Sequence, residues 1–256
     1  MARVSEWDWG RPEELSARMD GFLVESATCE KLEEVAAPPF SRASLADLGV
    51  TGVEFAAWKS HHSAALASDV VPLRAPDAVA APGRIYRVDG DALFAALDIC
   101  EPLPLADGAV DWVYAEHLVE HVSLGAGIGW LTEVRRILAP GGLLRLTTPD
   151  LATYVDGYRA GNPFFSRHRG RMRAAGLGPP MPPRRAFMFN QVFYLYGHRW
   201  LYDFEELQHA LVSAGFSADD VRRCAFREGE RPDVADLDRV LRNDESLYVE
   251  VVKRDV

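Results

Sequence analysis

The sequence predicts an α/β protein built on a doubly wound, mostly parallel sheet, and three observations carry that expectation. Val110-Asp111-Trp112-Val113-Tyr114 is a short apolar and aromatic run bounded by turn residues, the pattern of a buried strand. Trp130, Leu131, Val134, Ile137 and Leu138 then recur at helical spacing, with Glu133, Arg135 and Arg136 on the other faces. Pro140-Gly141-Gly142 stops that helix, because proline cannot continue it and glycine accepts a left-handed turn; residues 143–148 read as a second strand. Strand, helix and strand form a right-handed crossover unit. Sheets made of such units bind ligands beyond the carboxyl ends of their strands, which directs attention to Ala115-Glu116-His117 and Thr148-Pro149-Asp150.

Composition narrows the function classes. With 256 residues, 48% of them apolar, the chain can bury one substantial core. A formal net charge of −10 argues against a nucleic-acid groove, which needs clustered cations, although arginines gather at 167–173 and at Arg184-Arg185. Cys29, Cys100 and Cys224 are odd in number and far apart, which suits a reducing cytoplasm better than a disulfide framework. Trp7, Asp8, Trp9 and Glu13 stand where a signal peptide would need an apolar stretch, and no run reaches membrane-spanning length. The expectation is a cytoplasmic protein with no membrane and no nucleic-acid partner.

In chain order, residues 1–45 read as a helical extension, with amphipathic spacing over 13–22 and 25–35. It would pack on the core, make a homodimer contact, or act as a lid with Trp7 or Trp9 on a ligand. The α/β domain follows over 46–256. Its first strand is read at 50–57, its second ends at Asp69, and a short strand and turn are inserted over 83–91. A third strand over 94–100 carries Asp98 at its end. His61-His62 lack neighbouring ligands and read as solvated loop residues. Residues 150–202 interrupt the sheet as a substrate cap. Asp150, Tyr154 and Tyr158 share a helical face there, the basic run reads as a solvated helix face, and Asn190, Gln191, His198 and Arg199 are polar residues set in an aromatic-rich segment. Asp203 with Glu206 is a capping-box pattern, and Gly215 ends that helix. The last strands are read at 221–226 and 246–252, with an outer helix over 234–241 between them.

The stretch LDICEPLPLADGAVDWVYAEHLVEHV, followed by LTEVRRILAPGGLLRLTTPDL, resembles the middle of a class I S-adenosylmethionine-dependent methyltransferase. GHRWLYDFEELQHALVSAGF and NDESLYVEVVK resemble that family's closing elements, so the likeness runs over about Val50 to Val252. The resemblance implies a Rossmann-like sheet of seven mostly parallel strands, S-adenosyl-L-methionine as cofactor and a small-molecule substrate. It implies that Glu54, Phe55, Ala56 and Trp58 line the cofactor loop, that Asp69 takes the ribose hydroxyls, and that Asp98 and Ile99 flank the adenine. Glu116 would hold the methionyl amine or, like His117, act as base; Tyr154, Asn190 and His198 would line the acceptor side. Glu120 and His121 read as caps of the following helix, and no metal site is expected. The family's glycine-rich loop is altered, since Ala56 and Trp58 stand where glycines belong. That departure motivates two rivals: cyclisation of the cofactor's own aminobutyrate moiety with release of methylthioadenosine, or a non-catalytic binding scaffold with Trp58 as plug.

Overall fold

The central strand Val110–Glu116 forms where the sequence alternates residues for two different faces, and the sheet grows outward from it. The computed structural model describes residues 27–160, 162–175, 184–194 and 196–254. The strands are β1 (Leu32–Ala36), β2 (Gly52–Phe55), β3 (Ala65–Asp69), β4 (Arg74–Ala75), β5 (Ala78–Val79), β6 (Ile85–Val88), β7 (Ala92–Ala96), β8 (Val110–Glu116), β9 (Leu138–Pro149), β10 (Val221–Cys224) and β11 (Ser246–Val252). Nine of them make one sheet in the order β1-β6-β7-β3-β2-β8-β9-β11-β10, and β4 with β5 is a separate hairpin. β7, β3, β2, β8 and β9 are parallel neighbours. Both edges are antiparallel, β6 and β1 on one side and β11 and β10 on the other. The predicted class therefore stands, with nine strands in place of seven.

The helices are α1 (Arg42–Asp47), α2 (Leu124–Ile137), α3 (Leu151–Ala160), α4 (Phe164–Ala174), α5 (Arg185–Tyr194), α6 (Phe204–Ser213) and α7 (Pro232–Ala235). Ser123 caps α2 and Asp203 caps α6 through the Glu206 N–H, each filling an otherwise orphaned first-turn donor. α2 and α6 cover one sheet face, where Trp130, Leu131, Val134, Leu207 and Leu211 pack on Val53, Phe55, Val113, Ala115 and Leu146. Tyr154, Phe164, Phe165, Met172, Met188 and Val192 give the cap helices α3, α4 and α5 a small core of their own. Among the described residues no helix is long and apolar enough to cross a membrane.

The opposite face is polar in its middle. Gly52, Glu54, Trp112, Tyr114, Glu116, Arg145 and Thr147 alternate onto it, and the segment 225–245 lies across it. Gly52 is required there by close approach, because a Cβ would fall 2.0 Å from the Trp112 ring. Arg145, fully buried, holds the covering segment: it donates to Asp238 Oδ1 at 3.0 Å, Asp238 Oδ2 at 2.5 Å, Glu250 Oε1 at 2.7 Å, and the carbonyls of Ala225 and Glu228. Every guanidinium donor is used, which is what a buried charge demands.

Several expectations are corrected. Residues 1–26, with the proposed helix at 13–22 and the tryptophans Trp7 and Trp9, lie outside the described residues. The helix expected over 25–35 gives way to β1, which pairs with β6 and satisfies an otherwise open sheet edge. The third strand ends at Ala96, so Asp98 sits two residues beyond it. The outer helix expected over 234–241 is only the short α7, and Val234, Ala235 and Asp238 there are buried rather than outside. β2 and β3 are joined by residues 56–64 alone with no helix among them, so on this face the 225–245 segment and the β4–β5 hairpin do the covering. His62 is not solvated: it packs 4.6 Å from the Trp112 ring centroid and pairs with Asp233 at 3.0 Å.

The ion cluster under the covering segment sets a stability expectation. Asp238→Ala removes one of the two carboxylates that compensate the buried Arg145 charge and should cost about 3–5 kcal/mol, whereas Arg145→Met combined with Asp238→Leu and Glu250→Leu, which removes all three charges together, should recover most of that loss. Urea denaturation of the two variants against the wild type checks the ordering; equal losses would contradict it.

Candidate functional site

Two neighbouring central strands end in strained backbone. Ala56, just past β2, has φ +56°, and His117, just past β8, has φ +51°. This left-handed region costs a residue with a Cβ on the order of 1 kcal/mol and persists only where surrounding contacts hold it. Beyond Ala56, Trp58 is half-buried against the Ala67, Leu73 and Phe94 cluster, and its indole N–H donates to the Val71 carbonyl at 3.3 Å. The side chain thus ties the loop after β2 to the loop after β3.

A row of carboxylates follows the strand ends. Glu54 on β2 is buried, burial raises its pKa against the opposing influence of Ser60 and Arg239, and its Oε2 has no hydrogen-bond partner. Asp69 closes β3; burial raises its pKa, and its Oδ1 accepts the Val71 N–H at 2.9 Å. Asp98 is exposed, with Oδ1 accepting the Cys100 N–H at 2.8 Å, and Ile99 beside it packs on the main core. Glu116 ends β8 and is bound by Arg239 twice, through its backbone N–H at 3.0 Å and its Nε at 3.1 Å. Burial raises the Glu116 pKa and Arg239 opposes that. The same guanidinium stands 3.9 Å from Glu54, so one half-exposed cation serves two buried carboxylates.

On the cap side of β8 a second group of polar side chains is buried. His117 Nε2 meets Ser246 Oγ at 2.7 Å, and its Nδ1 faces Glu120 Oε1 at 3.4 Å. Glu120 is fully buried; its Oε2 accepts the Thr148 hydroxyl at 3.1 Å and its Oε1 has no hydrogen bond. Burial pushes the Glu120 carboxyl up to about 8. His121 and His198 lie with ring centroids 4.8 Å apart, and burial lowers them to about 4 and about 3. His117 is also lowered well below the ordinary imidazole value by burial, so all three rings are neutral. Deeper still, Tyr154 donates to Glu245 Oε2 at 2.5 Å, and His168 faces Asp244 at 3.5 Å and Glu245 at 3.6 Å. Arg242 pairs with Glu245 at 3.3 Å. Beside this group a cleft of about 400 Å³ opens, lined by Leu151, Phe193, Tyr194, His198, Arg199, Trp200 and Leu201.

The structure thus gathers Glu54, Glu116 and His117 around adjoining strand ends, sets Asp69 and Asp98 along the same edge, and brings His198 to the cleft. Tyr154 is sealed beneath, with its hydroxyl spent on Glu245. Asn190 is not brought in: it is exposed and its Nδ2 donates to the Ala186 carbonyl of its own helix, while its neighbour Gln191 is the buried one. Glu120 and His121 do not cap α2, since Ser123 does, and they join His198 instead. Sequence reasoning missed Arg239, Arg242, Glu245 and Ser246. The available signal was their position, Arg239, Arg242 and Glu245 just ahead of the last strand and Ser246 at its start, which pairs with Pro149 at the carboxyl end of β9.

Comparison with known proteins adds the following. A family model described as a methyltransferase domain matches residues 46–146. No curated protein matches the sequence. Among solved structures, the CurJ carbon methyltransferase is similar at 13% identity, over 81% of this chain and 49% of that one, with a TM-score of 0.42. Phosphoethanolamine N-methyltransferase 2 of Haemonchus contortus is similar at 12% identity, over 87% and 55%, with a TM-score of 0.43. An S-adenosylmethionine-dependent methyltransferase of Thermotoga maritima is similar at 16% identity, over 84% and 90%, with a TM-score of 0.42. The chain spans about half the length of the first two.

The buried His168 pair yields a pH expectation. Burial alone would lower this imidazole, but Asp244 and Glu245 outweigh it and raise the pKa. A raised histidine contributes stability that is fully present below its unfolded value near 6.5 and is lost as pH climbs through the folded value. The deficit of His168→Gln relative to the wild type should therefore be largest near about pH 6 and shrink toward about pH 9. Chemical denaturation at both pH values measures it; a deficit that grows with pH would contradict the assignment.

Proposed function

We propose, from the match of residues 46–146 to a family model described as a methyltransferase domain, that this protein transfers the methyl group of S-adenosylmethionine to a small-molecule acceptor. The observation that carries the reading is the row of carboxylates at four adjacent strand ends: Asp98 past β7, Asp69 on β3, Glu54 on β2 and Glu116 on β8. Such a row complements a cationic ligand, and it suits this one part by part. Asp98 and Asp69 would take the adenine amine and the ribose hydroxyls. Glu54, whose buried Oε2 has no partner, would take the ammonium group. Glu116, held by Arg239 on both oxygens, keeps the end of β8 in place rather than serving as a free base.

When bound, S-adenosylmethionine supplies an electrophilic methyl on a sulfonium. The protein's share of the work is then alignment and exclusion of water, which can account for much of a displacement barrier. The cleft beside His198 is the acceptor site in this reading, and its aromatic walls favour a ligand with an apolar or planar part. His117 and Tyr154 act by position: the first holds its strained turn through Ser246, the second braces the floor through Glu245. A non-catalytic scaffold is the second reading, and the Trp58–Val71 tether across the ends of β2 and β3 favours it.

Calorimetric titration with S-adenosylmethionine and with S-adenosylhomocysteine tests the proposal. The wild type should bind both. Asp69→Ala, losing hydrogen bonds to a charged acceptor, should weaken binding by about tenfold to a hundredfold. S-adenosylhomocysteine as the released product would support transfer, and methylthioadenosine would replace it with cyclisation. Absence of binding in the wild type, with binding recovered in Trp58→Gly, would establish the scaffold instead.

A further inference from the structure

We propose that Glu120, His121 and His198 form a binding site for one divalent first-row transition metal ion, zinc foremost, at the inner wall of the acceptor cleft. One ligand atom from each of the three lies within 4.8 Å of the others. Two imidazole nitrogens and one carboxylate oxygen are the donor set of open, catalytic zinc sites, and imidazole suits zinc and its neighbours better than magnesium or calcium. Ligands about 2.0–2.1 Å from a tetrahedral ion stand roughly 3.3 Å apart, so the three side chains need to close by at most about 1.5 Å.

Three features point to a cation rather than to a self-satisfied polar core. Glu120 is fully buried, yet its Oε1 makes no hydrogen bond and is aimed at the gap, 4.0 Å from His198 Nε2. A buried carboxyl oxygen that makes no hydrogen bond is costly, and a cation that takes the place of the carboxyl proton removes that cost. Second, His198 Nδ1 meets the Val192 carbonyl at 2.5 Å. That bond places the ring proton on Nδ1 and leaves the Nε2 lone pair facing Glu120, as in metal-ligating histidines whose far nitrogen is fixed by a carbonyl. Third, Arg242, the guanidinium of this buried polar group, is already paired with Glu245 at 3.3 Å.

The surroundings supply the remaining parts of a site. Thr148 holds the second Glu120 oxygen, the backbone N–H groups of Arg199 and Trp200 bind the Glu120 carbonyl, and His117 Nδ1 lies 3.4 Å from Glu120 Oε1. His198 lines the cleft, so an ion there is within reach of an entering molecule. Three protein ligands leave a position for water or for an oxygen of the acceptor. The inference rests on this geometry and not on the methyl-transfer reading.

Chelator-stripped wild-type protein titrated with Zn2+ by calorimetry, without S-adenosylmethionine, tests it. One site of about 1 µM affinity or tighter is expected, with a rise in Tm, since a ligand bound only by the folded state stabilises it. His198→Ala and Glu120→Gln should each weaken binding by about 100-fold or more, beyond the effect of losing an outer partner. His62→Ala, which removes the histidine beside Asp233, should leave binding unchanged. X-ray absorption of the zinc complex should report two imidazoles. Should Glu120→Gln fail to fold by circular dichroism, His121→Ala takes its place. No saturable binding in the wild type, or undiminished binding in His198→Ala, would overturn the site.

Discussion

One buried guanidinium organises the functional side of this molecule. Arg145 projects from the middle of β9 onto a sheet face that, among the described residues, has no long helix over it, and it spends all its donors on Asp238, Glu250 and two carbonyls. A charge in that position is tolerable only with such complete pairing. The pairing has a spatial consequence, because it presses residues 225–245 against the sheet. Tyr114 adds its hydroxyl to Asp238, and Arg227 donates its backbone N–H to the same carboxylate. From that anchored segment come Arg239, which reaches Glu54 and Glu116, and Arg242 and Glu245, which with Ser246 at the start of β11 brace the cap side. The polar stripe inside the sheet and the charges at the strand ends are parts of one network.

The strained turns at Ala56 and His117 show how the network and the strand ends depend on each other. Each residue adopts a conformation that a side chain disfavours, at the exit of a central parallel strand. His117 is held by its own N–H to the Thr147 carbonyl and by its ring to Ser246. The turn at Ala56 is held by the Ala57 N–H bonded to the Ser68 carbonyl and by Trp58 over the next loop. The two strands are register neighbours, Phe55 opposite Ala115, so the strained turns flank one point on the sheet edge. That point separates the carboxylate row from the histidine group, where a cofactor and an acceptor would meet.

The histidine group owes its character to burial. Exposed, the same residues would titrate near neutrality; packed under the cap helices, His117, His121 and His198 are held neutral. The cap also decides which of its polar residues face the interior. Its aromatic helix turns Gln191 inward and Asn190 outward, a difference of one position on a helix.

Local chemistry was legible in the sequence. The alternating run of β8, the periodic apolar face of α2, the Gly141 turn and the Asp203 cap follow from period, propensity and turn residues, which act between near neighbours. The crossover pattern of 109–151 was enough to fix the fold class and the end of the sheet where a site belongs. What the tertiary structure decided depends on residues far apart in the chain. It turned the expected helix over 25–35 into an edge strand, because β6 offered an open ladder. It buried Asp238 because Arg145, 93 positions away, needed a counter-ion. It brought His198 to Glu120 and His121, across the whole of β9 and the cap, because Val192 and the Glu120 backbone fix that loop from both sides. Periodicity assigns a residue to a face, but only the closed fold assigns it a partner, and in this protein the partners make the site.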